Sequence, residues 1–255
     1  MRNVWTIFRK EIRSYFVSPV AYLLLTMFAL IFGFFFWNAL GYFVFVGMES
    51  QMRGQSFPMN VNEELIRPLL SNISVVGLFL IPMITMRLFA EEKRTGTIEL
   101  LATSPIRDIE VILGKWLAAV TLYAGILLLT AVNFAFLFKY GNPDWKQLAI
   151  GYLGLLLQAG ALLAIGTFIS TLTKNQIIAG GATFGVCLLL WVLEWVSGYE
   201  TSTWARVLSY MSVITHFESF SKGLLASKDA IFYVTVIFFG LFLTARSMES
   251  LRWRS

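Results

Sequence analysis

Charged side chains are scarce in this sequence. Asp, Glu, Lys and Arg make up 14% of its 255 residues, whereas ordinary soluble domains carry about 25%. Apolar residues make up 57% and the mean hydropathy is +0.71, so a water-soluble fold would expose more apolar surface than one core could bury. The low charge content excludes a disordered chain and a nucleic-acid-binding module, and it predicts an all-α polytopic membrane protein.

Cysteine and histidine occur only once each. Cys187 lies in an apolar run, so the sequence has no intramolecular disulfide and no multi-cysteine metal site. His216 stands beside Phe217 in an amphipathic segment, where we expect a structural role. The sequence contains neither an HExxH zinc motif nor a GxxxxGK[ST] phosphate loop. We therefore predict no catalytic or metal-binding residue and no ATP hydrolysis by the chain itself.

Charges mark the ends of the apolar windows, because a charge near the bilayer centre costs about 2.5 to 3.5 kcal/mol on insertion scales. The first uncharged stretch, residues 14–48, is far longer than the roughly 7 to 15 residues of a signal-peptide core and predicts an uncleaved anchor. Six transmembrane helices are predicted, over residues 20–46, 69–86, 116–138, 148–173, 176–193 and 230–245. The last window has 16 residues and needs its flanking side chains to reach the interface.

Basic residues are distributed unequally between the alternate loops. One side of the predicted membrane carries 13 Lys and Arg residues and the other carries 7. The positive-inside rule then places both termini in the cytoplasm, which agrees with an even number of spans. Small residues in the fourth window and the Gly181-Gly185 GxxxG pair of the fifth favour close helix packing. Packing within one chain and dimerisation explain these residues equally well.

Two segments outside the windows are amphipathic. Residues 3–16 are predicted to form a cytoplasmic interfacial helix on an anionic leaflet, with a plain basic flank as the alternative; Ser18 would cap the following helix and Pro19 would be its first residue. Residues 197–229 are predicted to form two short helices at, or dipping into, the outer interface. Their apolar faces comprise Trp204, Val207, Leu208 and Met211 in one, and Phe217, Phe220 and Leu224 in the other.

The inner loop between the second and third windows, residues 91–106, has the most distinctive pattern. Thr95-Gly96-Thr97 is expected to end a charged extension of span two, and Thr97 to cap a short helix with Glu99 in its first turn. Leu100 and Leu101 would then offer apolar contact to a partner, and Ser104-Pro105 would end the segment. We predict a short cytoplasmic helix parallel to the membrane, with a solvated loop as the alternative.

This loop resembles a known signature. Glu91-Glu92-Lys93-Arg94, Gly96-Thr97, Glu99-Leu100-Leu101 and Ser104-Pro105, followed by Gly114-Lys115, resemble the EE+xxGTxExLxxxP…GK pattern of permease subunits of type-2 ABC exporters. The opening Arg9-Lys10-Glu11-Ile12-Arg13 with Ser18-Pro19 resembles the N-terminal interfacial helix of that family. Met86-Arg87 with Phe89, and Ser170 to Gln176 between spans four and five, are most similar to the gliding-motility ABC transporter permease.

The resemblance implies a division of labour with other chains. A separate cytoplasmic ABC ATPase would bind ATP and Mg²⁺, and this chain would carry no cofactor. The ATPase would contact the coupling helix, through the residues Glu91, Glu92, Arg94, Gly96, Thr97, Glu99, Leu100, Leu101 and Pro105. The N-terminal helix would pack beside it, with Trp5, Phe8, Arg9, Lys10, Glu11 and Arg13 at the interface.

The resemblance also implies an assembly and a location. A second permease, either a copy or a homologue, would pair with this one in the bacterial inner membrane, surrounded by lipid, with spans one, two and five lining the path. The segment 197–229 would be the family's re-entrant hairpin. The implied activity is ATP-driven export. The alternative is a mechanical transducer that transports nothing and relays ATPase motion to a periplasmic partner protein.

Overall fold

The computed structural model describes residues 2–53, 60–98, 106–199 and 203–252. Within these ranges the chain is helical and has no strand. The helices are numbered here in chain order: α1 Arg2–Val17, α2 Pro19–Met52, α3 Arg67–Thr85 after a π-helical turn at Asn62–Ile66, α4 Ala90–Thr95, α5 Asp108–Leu128, α6 Thr130–Tyr140, α7 Trp145–Leu172, α8 Gln176–Tyr199, α9 Thr203–Tyr210, α10 Val213–Ser221 and α11 Ser227–Arg252.

Six helical segments of the described chain are long and apolar enough to cross a membrane. They are Pro19–Met52, Asn62–Thr95, Asp108–Tyr140, Trp145–Leu172, Gln176–Trp195 and Ser227–Ser250. The predicted all-α fold with six apolar spans is confirmed. Several helices extend well beyond the apolar windows: the first has 34 residues, or about 51 Å at 1.5 Å per residue, because a helix does not have to stop where its apolar stretch stops.

Helix α7 lies at the centre of the bundle, where its glycines allow neighbouring helices to approach closely. A Cβ on Gly154 would lie 2.5 Å from Phe220 Cβ in α10, and one on Gly166 would lie 2.5 Å from Thr85 Oγ1 at the end of α3. Small residues of the fourth span therefore mark contacts within one chain. Gly181 and Gly185 in α8 have no other described atom within 4 Å of a Cβ, so this GxxxG face is uncovered in the described chain.

Different loop segments of the chain contact the two ends of α7. At its N-terminal end, Gln147 Nε2 donates to Ser221 O at 2.8 Å, and Asn62 Oδ1 accepts from Asp144 N at 2.9 Å. At its C-terminal end, Ser170 contacts the start of α4. The segments predicted to lie outside therefore gather at one end of the bundle, and the predicted coupling loop begins at the other.

At the junction between α1 and α2, Ser18 and Pro19 have the capping and first-residue positions expected from the sequence. Ser18 is extended, with φ −84° and ψ 142°, and its Oγ accepts a hydrogen bond from Val20 N, while Pro19 begins α2. Proline is suited to this first helical position because its missing N–H would have no helical partner there.

Two local expectations were wrong. The charged extension of span two is not continuous, because a turn over residues 86–89 separates α3 from α4; Gly96 ends α4 with φ +75°, so the chain turns twice. Leu224 does not share a helical face with Phe217 and Phe220, since α10 ends at Ser221 and Leu224 is 61% exposed. By contrast, the exposed state of Trp204, Val207, Leu208 and Met211 does not contradict a helix at the outer interface, and that placement stays a prediction.

His216 has the structural position expected of it, in the segment between spans five and six. Its side chain is almost completely buried, its Nε2 lies 2.8 Å from Tyr210 O, and its Nδ1 lies 2.7 Å from Asp229 Oδ1. The ring also stacks on Phe232 with 3.9 Å between centroids. His216 therefore joins α9, α10 and α11 at one point.

Candidate functional site

Helix α1 packs closely against the first turns of α5. Asn3 Nδ2 donates to Glu110 Oε2 at 3.0 Å, and Ile7 is buried against Gly114, where a Cβ would lie 2.8 Å from Ile7 Cγ2 and 3.1 Å from Val4 O. One of these neighbours is backbone, which cannot turn away as a side chain can. Gly114 is therefore the residue that allows α1 to lie directly on α5.

A buried lysine lies where α1, α4 and α5 meet. Lys115 Nζ is 2.8 Å from Glu92 Oε1 and 3.0 Å from Glu11 Oε1, and its side chain is only 3% exposed. Lys10 adds a weaker contact of 3.6 to 3.7 Å to each of the two carboxylates. A buried charge is tolerated only when it is paired, and the two glutamates pair with Lys115. We call Glu11, Glu92 and Lys115 the charge triad.

The start of α4 is held by a side chain from a distant helix. Ser170 Oγ accepts hydrogen bonds from the backbone N–H groups of Phe89 and Ala90, both at 3.1 Å. The first N–H groups of a helix have no partner inside it, and this serine of α7 satisfies two of them. Lys93 in turn donates to the carbonyl of Thr171. Helix α4 is therefore fixed to the C-terminal end of α7.

Arg87 connects the turn after α3 to the α1–α2 junction. Its Nη1 donates to Ser18 Oγ at 2.9 Å, and its Nε lies 3.3 Å from Glu91 Oε2. Arg87 therefore connects the α1–α2 junction to the turn between α3 and α4. The coupling-loop side of the second span and the N-terminal helix form one connected unit.

A cleft of about 490 Å³ opens between these elements. Three acids and three bases line it, namely Lys10, Glu11, Arg87, Glu91, Glu92 and Lys115. Beneath it Tyr15 is buried, and its hydroxyl has no hydrogen-bond partner among the described residues. Burial, with a further contribution from the negative charge of Glu11, raises the pKa of this phenol well above its usual value of 10, so Tyr15 stays neutral.

The predicted coupling residues fall into two groups. Glu92 is only 12% exposed in the charge triad and Glu91 pairs with Arg87, whereas Arg94 and Thr97 are exposed. Thr97 and Ile98 are already helical after the left-handed Gly96. The remaining four residues, and with them the predicted cap of Thr97, lie outside the described ranges: Glu99, Leu100, Leu101 and Pro105.

The predicted interfacial residues also divide. Trp5, Arg9, Lys10 and Arg13 are exposed, and Phe8 is half-buried beneath Trp5, with 5.0 Å between the ring centroids. Glu11 faces inward as a member of the charge triad. Helix α1 therefore has one face that packs on the protein and one that does not.

Sequence reasoning missed the roles of Lys115, Gly114 and Ser170. Gly114-Lys115 is part of the signature and is too short to be a phosphate loop. The residues next to it in the sequence do not indicate that Lys115 pairs with Glu11, which is 104 residues away. A lysine directly before a long apolar window, following a glycine, was the only local signal. Ser170 entered the sequence analysis only as part of the segment that resembles a known permease. A hydroxyl group that caps a distant helix has no recognisable sequence pattern.

Comparison with known proteins agrees with this architecture. The family described as ABC-2 family transporter protein matches residues 5–245. The chain is similar to the probable multidrug ABC transporter permease YbhR of Escherichia coli K12 and to its counterpart in strain O157:H7, with 25% identity over 174 residues in each case. The match covers 65% of this chain and 44% of each relative, so it spans less than half the length of these relatives. With its six apolar helices, this chain is a multi-pass membrane protein and belongs to the ABC-2 transporter family, whose members are the permeases of ABC transporters.

Proposed function

We propose that this chain is the membrane subunit through which a separate cytoplasmic ATPase drives export across the bacterial inner membrane. ATP and Mg²⁺ would bind the ATPase, and the segment 91–106 would receive its motion. Both termini of the chain would lie in the cytoplasm. The similarity to permeases named as probable multidrug transporters supports export over the alternative of a mechanical transducer.

The charge triad is the observation that carries the proposal. Glu92 lies at the start of the coupling loop, Lys115 begins the third span and Glu11 belongs to α1. A displacement of the loop that left Lys115 behind would leave a buried charge without its partner, which is strongly unfavourable. Ser170 connects the same loop to the central helix α7. Force applied at the loop would therefore move three spans together.

Two permeases and two ATPases would form the working unit. One chain supplies one coupling loop, and a closed two-fold assembly gives each ATPase a loop to contact. Spans one, five and six have the smallest buried shares, at 28%, 17% and 22%, and their apolar sides require lipid or a second permease. The uncovered Gly181 and Gly185 face of α8 would allow close approach of a partner helix. The mass of the extracted complex tests this stoichiometry.

The experiment that tests coupling is the substitution Glu99→Lys. If Glu99 lies in the first turn of the predicted coupling helix and contacts the ATPase, reversing its charge would remove a favourable helix-terminus interaction of about 0.3 to 1 kcal/mol and add repulsion from a basic groove. The amount of ATPase that co-purifies, or its hydrolysis rate in membranes, should fall. Glu64→Lys, the same change at the other end of the bundle, is the control and should leave both values unchanged. Equal values for Glu99→Lys and the wild type would remove Glu99 from the interface.

Export itself is tested with inverted membrane vesicles. The wild-type complex should accumulate a lipophilic fluorescent dye when ATP is supplied, and Glu99→Lys should accumulate less. An ATPase-active complex that accumulates no such dye, and that retains a large periplasmic protein, would favour the transducer. The finer resemblance to gliding-motility permeases stays a prediction that the same result would strengthen.

A further inference from the structure

We propose that a small cavity beneath the charged cleft is a binding site for one ordered water molecule, which joins α1 to the turn between α3 and α4. The cavity has a volume of about 30 Å³ and is lined by Glu11, Ser14, Tyr15, Arg87, Leu88 and Glu91. The site belongs to the folded chain itself and does not depend on the proposed export function.

The hydroxyl of Tyr15 is the reason to expect an occupant. Tyr15 is only 8% exposed, and its Oη has no hydrogen-bond partner among the described residues. Buried polar groups of folded proteins are almost always hydrogen-bonded, either to protein or to ordered water. Because the described chain supplies no protein partner, water in the adjoining cavity is the partner that we infer.

The phenol of Tyr15 stays in the form that water can bind. Burial, with a further contribution from the negative charge of Glu11, raises the pKa of this phenol well above its usual value of 10. The hydroxyl therefore keeps its proton and can both donate and accept a hydrogen bond. A water molecule fits either role, since it also donates and accepts.

The size and the lining of the cavity suit a water molecule. An internal water needs about 10 to 15 Å³ and two to four polar partners, so the cavity has room for one molecule and at most two. Cavities that stay dry are lined by apolar side chains, and Leu88 is the one apolar side chain of this lining. Its polar side chains are two hydroxyls, two carboxylates and one guanidinium, from Ser14, Tyr15, Glu11, Glu91 and Arg87.

The charges around the cavity favour water over a cation. Glu11 Oε1 lies 3.0 Å from Lys115 Nζ, and Glu91 Oε2 lies 3.3 Å from Arg87 Nε. Both carboxylates therefore already have a cation beside them, and Arg87 itself lines the cavity. A further positive ion would be repelled by these groups, whereas a neutral water molecule can bond to them.

A water molecule in this cavity would connect two elements of the fold. Tyr15 lines it from α1, whereas Arg87 and Glu91 line it from the turn after α3 and from α4. The same elements are already joined by the charge triad at Glu11 and by the hydrogen bond from Arg87 to Ser18 Oγ at 2.9 Å. Since Tyr15 lies between Glu11 and Ser18 in α1, the water would add a third connection between these two.

Hydroxyl-radical footprinting of the full chain in detergent tests the site, because radicals formed from bound water oxidise the side chains next to it. Leu88 lines the cavity and is 2% exposed, and Leu78 in α3 is 1% exposed. Leu88 should be oxidised several-fold faster than Leu78, although neither is reached by bulk water. Tyr15 should likewise be oxidised faster than the buried Tyr233, whose hydroxyl donates to a backbone carbonyl.

Tyr15→Phe provides a second measurement, whose sign differs between the two cases. If the hydroxyl binds water, its removal leaves the water one partner short, so the melting temperature should fall by about 2 to 4 °C and oxidation of Leu88 should slow. If the hydroxyl were unpaired, its removal would leave the melting temperature unchanged or raise it. Tyr22→Phe, which removes the hydroxyl of an exposed tyrosine in α2, is the control and should melt as the wild type does.

Three results would overturn the proposal. Equal oxidation of Leu88 and Leu78 in the wild type would exclude bound water, and this measurement needs no variant that could fail to fold. A Tyr15→Phe protein that melts at or above the wild type would show that the hydroxyl has no partner. A melting temperature that rises with sodium or potassium chloride but not with choline chloride, and only in the wild type, would assign the cavity to a cation.

Discussion

Lys115 Nζ lies 2.8 Å from Glu92 Oε1, so the start of the third span and the loop that follows the second are joined by a charge pair that is shielded from water. Glu11 completes the pair from the N-terminal helix. Three elements that the chain forms far apart are thereby held at one point. The proposal that the loop transmits ATPase motion to the spans depends on this connection.

Lys115→Met should destabilise the protein, because two largely buried carboxylates then lose their closest cation and keep only the longer contact to the exposed Lys10. Removal of one partner from a buried pair costs about 3 to 5 kcal/mol, and the thermal melting temperature in detergent should report it. The triple variant K115M/E11Q/E92Q, which removes all three charges, should recover much of the loss. Arg246→Met breaks a pair of exposed residues with Glu249 and should cost no more than about 1 kcal/mol. Similar melting of K115M and R246M would contradict the assigned role of the triad.

Gly114→Ala should loosen α1 from α5. The new methyl group would meet Ile7 Cγ2 at 2.8 Å and the backbone carbonyl of Val4 at 3.1 Å, and overpacking of this kind costs about 1 to 3 kcal/mol. Faster proteolysis of the N-terminal segment would report the change. Gly125→Ala in the same helix meets no other atom within 4 Å and should be neutral or stabilising. The assignment fails if both variants are cleaved at the same rate.

Ser170→Ala should free the start of α4. Two backbone N–H groups, of Phe89 and Ala90, would lose their acceptor, and an unsatisfied buried donor costs about 1 to 3 kcal/mol. Hydrogen exchange over residues 89–95 should become faster. Thr121→Ala removes a hydroxyl that bonds only within its own helix, and exchange over 89–95 should not change in it. Unaltered exchange in Ser170→Ala would show that α4 does not rely on this contact.

His216→Phe should destabilise the segment between spans five and six. It keeps an aromatic ring against Phe232 but leaves the Asp229 carboxyl buried without its partner, at a cost of about 3 kcal/mol. The double variant H216F/D229L removes both polar groups and should regain stability. Thermal melting measures both variants, and a single variant as stable as the wild type would make the 2.7 Å contact energetically irrelevant.

The orientation of the bundle is tested by thiol labelling in a Cys187→Ser background. Asn142 and Lys174 are exposed and flank α7 at its two ends, which are about 42 Å apart. Asn142→Cys should react with an impermeant reagent in intact cells, and Lys174→Cys only after the membrane is opened. The reverse pattern would invert the topology derived from the 13 and 7 basic residues of the two sides, and it would also contradict the proposed coupling site.

The turn at residues 86–89 shows why local reasoning failed at the site. The charges from Arg87 to Arg94 fit a continued helix, and no glycine or proline interrupts them. The break exists because Ser170, from a helix 80 residues further on, accepts the N–H groups that a continuous helix would have bonded internally. Gly96, by contrast, has a conformation that glycine adopts at little cost, and its position as the end of a helix was predictable.

What the sequence by itself determined is the all-α fold with six apolar spans, because charge scarcity and apolar window length are local properties that each segment carries with it. Only the tertiary structure decided that Lys115 pairs with Glu11 and Glu92 and that Ser170 caps α4. These partners lie from about 20 to about 100 residues apart in the chain and leave no periodic signal. A side chain's need for an opposite charge or a hydrogen-bond acceptor does not specify which distant residue will supply it.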